Sequence, residues 1–380
     1  HERAVGASGA FAIHLRKLLG QDCPEHNVFC SPVSTSSALA MVLLGAKGST
    51  VAQMVQALGL SSVEDPHGGF QSLLPQVHRP GAPYSLSIVY RLFSEESCEF
   101  LPSFQESCLL FYQAELEPLS FAKAPERSRN HINAWVSRKT EGKISELLAK
   151  NSTDEESRLV LINAVYFKGK GGKQVDKSCT RKMPFKVNQK EQRPVQMMFQ
   201  EGKFPWAHVS EGQELTMLML PDEGMDLSMV RQGSGHVWPC LGEQQVEKSL
   251  TSEKLQTWTS PEQMERTKVE VFLRRFKLQE EYDMGAVLQA LRVVDAFHPG
   301  KADLSGTVVD SELCLSKFLH RSVVEVNVEG MEAAAARAVM VIPGCCLKSL
   351  PVFCADHPFL FFIRHNATHS LLFCGRFTSP

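Results

Sequence analysis

A short stretch near the carboxyl terminus, Val323–Pro343, constrains the fold of this 380-residue chain more than any other. It begins with valines that alternate with polar residues, a period-2 pattern that predicts a β-strand. Gly330 interrupts the pattern, and the small residues Ala333–Ala336 follow. Propensity alone favours a helix for an alanine run. However, the run has no second apolar face and no capping residue, and it is too short to be helical alone in water. The alternative is a segment with two states, an exposed loop or an added strand.

The composition allows one large core and gives no general reason to expect charged macromolecular partners. The chain is 43% hydrophobic and its formal net charge is −2. A core of this size can form in two domains or in one domain with mixed sheets. The longest apolar run, around Ala38–Ala46, is too short to span a membrane. Because the charge is nearly balanced, we expect neither nucleic acid nor a membrane as a partner.

The cysteines and the amino terminus predict a reduced environment. Eleven cysteines is an odd number, and none has Cys-x-x-Cys spacing, which argues against a complete disulfide framework and against a zinc site. Cys345, Cys346, Cys354 and His357 lie near one another, but their spacing matches no usual metal site. The first residues read as an amphipathic helix without the apolar centre of a signal peptide. We therefore expect no metal, no cofactor and a cytoplasmic location, with the nucleus or release without a signal peptide as alternatives.

Sequence fingerprints of catalysis are missing. The chain has no Gly-x-Ser-x-Gly and no His-Glu-x-x-His. Lys168–Lys173 is rich in glycine, but Gln174 follows where a phosphate-binding loop needs Ser or Thr. Gly233–His236 places a serine near a histidine without the strand–turn–helix context of a nucleophile. These observations predict that the protein is not an enzyme.

Apolar periodicity predicts alternating helices and strands along the whole chain. Arg158–Lys168 is a continuous apolar run, which indicates a central strand buried on both faces. The predicted helices are Ala10–Leu19, one within Asn27–Lys47, Thr50–Leu60, His67–Val77, Ser128–Leu148 and Glu281–Leu291. The other predicted strands are Leu86–Phe93, Met183–Met198, Phe204–Val209, Leu215–Leu220 and Thr267–Leu278.

Two motifs in register give a resemblance to a known family. Gly330-Met331-Glu332-Ala333-Ala334-Ala335-Ala336 resembles the hinge of a serpin reactive-centre loop, and Phe353–Ile363 is similar to the serpin carboxyl-terminal signature. The chain resembles ovalbumin-type (clade B) serpins, above all the kind that inhibits granzyme B. This resemblance implies one α+β domain over residues 1–380. It also implies the serpin fold, with three mixed β-sheets, eight or nine helices and an exposed reactive-centre loop at residues 330–350.

The resemblance also implies three sets of functional residues. The reactive bond would join Gly344 and Cys345. Polar residues beneath the main sheet would form the so-called shutter, although on sequence grounds alone an ordinary helix cap or a satisfied buried polar group is favoured for each: Ser31, Ser34, Asn163 and His320. The hinge of the loop would consist of Val328, Glu329, Gly330, Met331, Glu332, Ala333, Ala334, Ala335, Ala336 and Arg337.

The function that the resemblance implies is stoichiometric inhibition of a serine protease inside cells. The protease would cut the loop, and the amino-terminal half of the loop would insert as a new strand and trap the acyl-enzyme. None of the chain's own residues would be catalytic. The partner would be an elastase-, chymotrypsin- or granzyme-like protease, and the inhibitor a monomer. Granzyme B itself requires an acidic residue where this chain has Gly344, so that specificity is not expected.

Several departures from the family pattern favour an alternative, a non-inhibitory serpin that is a protease substrate or a binding protein. Val328, Met331 and Arg337 differ from the usual hinge, and Gly171 replaces a usual tryptophan. Burying the unpaired Arg337 guanidinium would cost on the order of several kcal/mol. Residues 210–245 depart most: one strand of the back sheet is expected to be absent, and an inserted segment to follow. We interpret this as a strand-sized deletion beside a spliced-in segment.

Overall fold

The structure, a computed structural model, describes residues 2–21, 25–78, 81, 84–169, 180–209, 215–222, 225–232, 247–260, 262–309, 312–326 and 350–380. Within these ranges helices and strands alternate, as expected for a mixed α+β chain. No helix of the described part combines the length and apolar character needed to cross a membrane.

The helices begin where the sequence supplies a suitable first turn. Pro32, Pro66, Pro102 and Pro125 stand at helix starts, where a missing N–H leaves no hydrogen bond unmade. The described helices are α1 (Glu2–Gln21), α2 (Pro32–Leu43), α3 (Gly48–Ala57), α4 (Pro66–Val77), α5 (Pro102–Tyr112), α6 (Pro125–Lys139), α7 (Ser252–Trp258), α8 (Met284–Ala290) and a 3₁₀ turn (Asp295–Phe297).

The strands fall into two hydrogen-bonded sheets. They are β1 (Val28–Cys30), β2 (Tyr84–Glu95), β3 (Leu116–Leu119), β4 (Leu159–Gly169), β5 (Thr180–Lys186), β6 (Gln192–Val209), β7 (Leu215–Asp222), β8 (Met225–Gln232), β9 (Glu265–Leu273), β10 (Phe276–Asp283), β11 (Lys317–Val326), β12 (Val352–Cys354), β13 (Phe359–His365) and β14 (Ser370–Phe377).

The five-stranded sheet has the order β10-β11-β4-β2-β3. Its strand β4 is buried along nearly its whole length, as the apolar run predicts. One face packs on the nine-stranded sheet through a cluster that includes Val165, Phe167 and Val324, and the other face is covered by α6. Helix α2 is buried at every position. The five-stranded sheet, called the main sheet below, therefore lies between two apolar layers.

The nine-stranded sheet has the order β1-β14-β13-β8-β7-β6-β9-β12, with β5 also on β6. Strand β6 pairs through Met198–Trp206 with β9 and through Trp206–Val209 with β7. The second and third of the three expected sheets are thus continuous through β6 in the described residues, because this long strand pairs in both.

Two predicted elements of the carboxyl half have different bounds. Thr267–Leu278 is divided between β9 and β10, which lie in different sheets, because the adjacent Arg274 and Arg275 stand between them outside either strand. Glu281–Leu291 is not all helix: β10 continues to Asp283, whose side chain accepts the Gly285 N–H and caps α8. A local cap overrides the apolar spacing.

Two further elements differ from their apolar patterns. Helix α6 ends at Lys139 rather than Leu148, because Glu141 and Gly142 have φ angles of 53° and 77°, which end a right-handed helix. Met183–Met198 is a hairpin of β5 and β6. Asn188 makes its turn by accepting the backbone N–H groups of Lys190 and Glu191.

The region with the weakest family resemblance is described in part. Strand β7 confirms the predicted Leu215–Leu220 strand, and β8 pairs with it. Residues 210–214, 223–224 and 233–246 lie outside the described residues. The interpretation of residues 210–245 as a deletion beside an inserted segment therefore stays a prediction.

Candidate functional site

The predicted loop begins where the two central strands of the five-stranded sheet meet. Strands β4 and β11 are parallel neighbours, in register from Lys317 opposite Val160 to Glu325 opposite Lys168. We call this pair of strands the seam. His320 and Asn163 are direct partners across it. The seam is closed along its described length, and the described part of β11 ends at Val326, two residues before the start of the predicted hinge.

The structure brings together all four predicted shutter residues. His320 Nδ1 lies 2.6 Å from Asn163 Oδ1, and Asn163 Nδ2 donates to Ser34 Oγ at 2.5 Å. The Ser31 backbone N–H donates to His320 Nε2 at 3.2 Å. Asn163 and His320 are fully buried. Two residues of the seam are therefore joined to the first turn of α2 through side-chain hydrogen bonds.

The partners of His320 fix its protonation state. Asn163 Oδ1 can only accept, so Nδ1 carries the proton and donates. Nε2 then accepts the Ser322 hydroxyl at 2.8 Å as well as the Ser31 N–H. Burial lowers the pKa of His320 to about 3, because the charged ring would lose its hydration. A neutral imidazole therefore satisfies every one of its hydrogen bonds.

One serine of this network, Ser31, is also a helix cap, as the alternative interpretation expects for it. Ser31 is the N-cap of α2, and its Oγ accepts the Ser34 N–H at 3.4 Å. The Ser31 hydroxyl also donates to the Leu372 carbonyl of β14 at 2.8 Å. Ser34 Oγ accepts a hydrogen bond from Asn163 Nδ2, and the Ser34 carbonyl accepts one from the Ser37 hydroxyl. The start of α2 is thereby tied to β14 and to the seam.

Sequence reasoning missed three neighbours of the network. Ser322 lies two residues after His320, so strand alternation alone would have placed it on the same face. Tyr282 is the β10 partner of His320, and its hydroxyl accepts the Phe29 N–H at 3.3 Å. Glu280 stands opposite Ser322, and burial raises its pKa to about 7. The inner face of β10 and β11 is thus unusually polar.

Helix α6 lies over the other face of the main sheet. Trp135 packs edge-on against Phe93 of β2, with ring centroids 5.5 Å apart, and the Arg91 guanidinium lies 4.5 Å from the centre of the tryptophan ring. Arg91 forms an ion pair with Glu117 of β3 at 2.9 Å, and Glu117 also contacts His131 of α6. The helix is held to β2 and β3 and not to β11 by these contacts.

The two ends of the predicted loop lie in different sheets. Strand β11 belongs to the five-stranded sheet, whereas β12, which follows the loop, pairs in parallel with β9 of the nine-stranded sheet. The hinge residues, the reactive bond and Gly171 fall outside the described residues and stay predictions: Val328, Glu329, Gly330, Met331, Glu332, Ala333, Ala334, Ala335, Ala336, Arg337, Gly344 and Cys345.

The described ranges contain no group of three or more metal-ligating side chains. Cys354 and His357 are within them, and His357 Nδ1 pairs with the adjacent Asp356 at 2.8 Å. Cys345 and Cys346 lie outside them. None of the six cysteines of the described part is in a disulfide.

Comparison with known proteins agrees with this architecture. A family model described as serpin (serine protease inhibitor) matches residues 6–380. Human Serpin B9 is 58% identical over all of both chains, and the horse leukocyte elastase inhibitor is 44% identical over all of both. Bovine Serpin B8 is 51% identical over 98% of each. The crystal structure of uncleaved ovalbumin superposes with a TM-score of 0.89, covering 99% of each chain at 34% identity. The chain therefore belongs to the serpin family of serine protease inhibitors.

Proposed function

We propose that this protein inhibits an intracellular serine protease as a suicide substrate. The target protease attacks the loop as it would a substrate, and its own nucleophile forms an acyl bond to the new carboxyl end. The loop residues before the cut then enter the main sheet as a strand between β4 and β11. The protease remains bound and is carried away from its original position.

The observation that carries this proposal is the placement of the two loop anchors. Before cleavage the loop is tied to β11 at one end and to β12 at the other, in two separate sheets. A tether at both ends opposes full insertion of the loop into the seam. Cleavage removes the tether to β12, so the portion attached to β11 is released to move. The inhibitor can therefore store the free energy of insertion until the protease has reacted.

Backbone hydrogen bonding supplies the driving force. Insertion breaks one parallel ladder, that between β4 and β11, and makes two antiparallel ladders in its place. The small side chains of the hinge, Ala333–Ala336, allow alternate positions to be buried on the sheet. Each net hydrogen bond contributes about 1 kcal/mol, so a gain of one full ladder is worth several kcal/mol.

Opening the seam requires the shutter to rearrange. His320 and Asn163 are hydrogen-bonded across the strands that must separate. Asn163 also donates to Ser34 of α2, and His320 accepts from Ser31. If β4 and β11 separate, the hydrogen bond between Asn163 and His320 must break, and the four residues must find other hydrogen-bond partners. We infer that the shutter holds the intact sheet closed and sets the height of the insertion barrier.

We infer that insertion would bring the most unusual hinge residue, Arg337, against this network. Strand β11 ends at Val326, and a connection ending at Gly330 would start the inserted strand at Met331. Antiparallel pairing then sets Met331 opposite Val326 and, counting on, Arg337 opposite His320. Directly opposite residues point to the same face of a sheet. Insertion to this depth would carry the guanidinium to the buried shutter, where it costs several kcal/mol if unpaired.

The target is inferred from the loop. With Gly344 at the reactive bond, no side chain fills the primary specificity pocket, which disfavours trypsin-like and Asp-directed enzymes. Cleavage after Met340 would suit a chymotrypsin-like enzyme, and cleavage after Arg337 a trypsin-like one. We place elastase- and chymotrypsin-like proteases first. The similarity to leukocyte elastase inhibitors of horse and cattle supports an inhibitory role over a non-inhibitory one.

The remaining parts of the proposal follow from the family. The protein acts as a monomer without a cofactor, is not itself an enzyme, and works in the cytoplasm. The resemblance to ovalbumin-type serpins supports this location, and the nucleus or release without a signal peptide are its alternatives.

One denaturing gel tests the proposal. The purified protein is incubated with elastase, chymotrypsin and granzyme preparations, each also inactivated beforehand at its catalytic serine. We expect an SDS-stable complex with at least one active protease and with none of the inactivated ones. Cleaved fragments without any complex, across the whole panel, would show that the loop is only a substrate.

A further inference from the structure

Two buried thiols face each other where the first strand joins the nine-stranded sheet. Cys30 of β1 and Cys374 of β14 are direct partners in antiparallel register, and both are fully buried. Their sulfur atoms are 3.5 Å apart. Partners on antiparallel strands have Cα atoms roughly 4.5–5.5 Å apart, within the range that a disulfide bridges. The two thiols could therefore be joined without moving either strand far.

A buried positive charge lies beside this pair. Arg16 of α1 is fully buried, and its guanidinium nitrogens have no hydrogen-bond partner among the described residues. Its ion-pair partner, Glu247 at 3.4 Å, is shared with Arg376, which lies 2.9 Å from the same carboxylate oxygen. Two guanidinium groups thus share one carboxylate. The hydrogen bond to Cys374 and burial raise the pKa of Cys30, and the charge of Arg16 opposes that rise.

Access of an oxidant to the thiols requires β1 to open locally. Strand β1 has only three residues and stands at the edge of the sheet, where local opening requires few hydrogen bonds to break. Because both sulfurs are buried, a small oxidant such as hydrogen peroxide suits the site better than a bulky disulfide. The hydrogen bond to Cys374 and burial hold the pKa of Cys30 well above its usual range and the Arg16 charge offsets only part of that rise, so the reactive thiolate forms when β1 opens to solvent.

We propose that Cys30 and Cys374 are a redox modification site that closes to a disulfide when peroxide is present. One thiolate attacks a peroxide oxygen and becomes a sulfenic acid, and the first water leaves after protonation. The second thiolate attacks that sulfur and displaces the second water. Two thiols and one peroxide thus give one disulfide and two waters, and the two electrons lost by sulfur reduce the peroxide.

The disulfide would act on the shutter through the next residue. Ser31 follows Cys30, caps α2, donates its N–H to His320 and its hydroxyl to Leu372 of β14. A bond between Cys30 and Cys374 would add a covalent link to this same junction. Resting on the proposed function, we infer that the link slows opening of the seam. More loops would then be cut without trapping, so more inhibitor would be consumed for each protease inhibited.

Mass spectrometry tests the disulfide independently of inhibition. The full-length protein, with Cys345→Ser and Cys346→Ser to remove loop thiols, is treated with peroxide, alkylated under denaturing conditions and digested without reductant. We expect the Cys30 and Cys374 peptides to be joined and to separate on reduction. The joined peptide should persist in the matched control Cys98→Ala, which removes another buried thiol, and form more slowly in Arg16→Gln. Alkylated Cys30 and Cys374, with oxidation confined to other cysteines, would overturn the proposal.

Titration against a protease that is trapped in the gel assay tests the consequence. In the same loop-thiol background, oxidation should raise the inhibitor consumed per protease several-fold, and reduction should reverse this. Cys374→Ala should show no such rise, and Cys98→Ala should behave like its parent. An unchanged titration despite a confirmed disulfide would overturn the link to the shutter. If the reduced protein with its own loop cysteines traps no protease, the proposed function fails while the mass-spectrometric result still decides the modification site.

Discussion

His320 is a histidine whose surroundings leave no place for a second proton. Its Nδ1–H is used by Asn163, and its Nε2 accepts from Ser31 and Ser322. A proton on Nε2 would face the Ser31 N–H, which cannot accept it. The native structure therefore holds the neutral form, and its pKa is lowered from 6.5 to about 3.

This predicts a loss of stability in acid. Between about pH 6.5 and pH 3 the unfolded chain binds a proton at His320 that the folded chain does not, so stability is complete above this window and falls as the pH falls through it. From pH 7 to pH 5 the loss from this residue is about 2 kcal/mol. Urea unfolding of the wild type and of His320→Gln at both pH values measures it, and the variant should lose about that much less.

The matched control is His14→Gln, which removes an exposed histidine of α1. It should keep the pH dependence of the wild type. Equal pH dependence in wild type and His320→Gln would contradict the assignment.

Arg337 is predicted to limit inhibition. Replacing it by threonine removes a charge that insertion would bury beside His320, so insertion should be faster relative to release of the protease. Lowering the insertion barrier by about 1.4 kcal/mol speeds insertion about tenfold. We expect Arg337→Thr to reduce the inhibitor consumed per protease, by up to about tenfold, in titrations against a trapped protease.

Two controls separate this effect from a change in loop charge. Arg337→Lys keeps the buried charge and should resemble the wild type. Lys348→Thr removes a charge beyond the predicted reactive bond, in the part of the loop that the proposed mechanism leaves outside the sheet. An improvement in Lys348→Thr as large as that in Arg337→Thr would exclude burial as the cause.

At the scale of elements, the seam between β4 and β11 is the part of the fold that the proposed mechanism uses. A strand entering it must donate backbone hydrogen bonds to both neighbours. Ala333→Pro would remove one donor and fix the backbone angle. We expect this variant to be cut at the normal rate and to give no SDS-stable complex, as read on the same gel.

Ser349→Pro is the matched control for Ala333→Pro, since it adds a proline to the loop beyond the predicted reactive bond. It should still form complexes. Complex formation by Ala333→Pro would mean that insertion does not proceed through this part of the hinge.

The elements that sequence reasoning predicted well have a repeating apolar signal. The continuous run of β4 gave its type and burial directly, and the alternation of β11 gave its type, although β11 is buried on both faces. Boundaries failed where one or two residues decide them. The left-handed pair Glu141–Gly142 ended α6 early, and Arg274–Arg275 divided one apolar run between two sheets. Propensity summed over a window cannot show such local stops.

Part of the candidate site could likewise be predicted from the sequence, and part could not. Ser31, Ser34, Asn163 and His320 were placed together through the family resemblance, since no sequence period joins residues so far apart. The polar partners on β10 and the pairing of Cys30 with Cys374 depend on strand register. Register between distant strands is a property of the folded chain, so the sequence alone offered no signal for them.

For the whole molecule, the central expectation is that the cut protein is more stable than the intact one. Insertion adds a net ladder of backbone hydrogen bonds, worth several kcal/mol. That corresponds to a rise in melting temperature on the order of 10 °C. Calorimetry of the protein before and after cleavage in the loop measures it, with Ala333→Pro as the variant that should show no rise. An unchanged melting temperature in the cut wild type would leave trapping without a source of free energy.

The location of β13 and β14 has a consequence for the fate of the spent inhibitor. Both strands follow the predicted reactive bond, yet they lie inside the nine-stranded sheet between β1 and β8. Their aromatic side chains, including Phe361 and Phe373, are among the most deeply buried of the chain. A proteolytic nick therefore leaves a two-chain particle whose short partner is interleaved with the long one. The carboxyl-terminal peptide can dissociate only when the larger fragment itself unfolds.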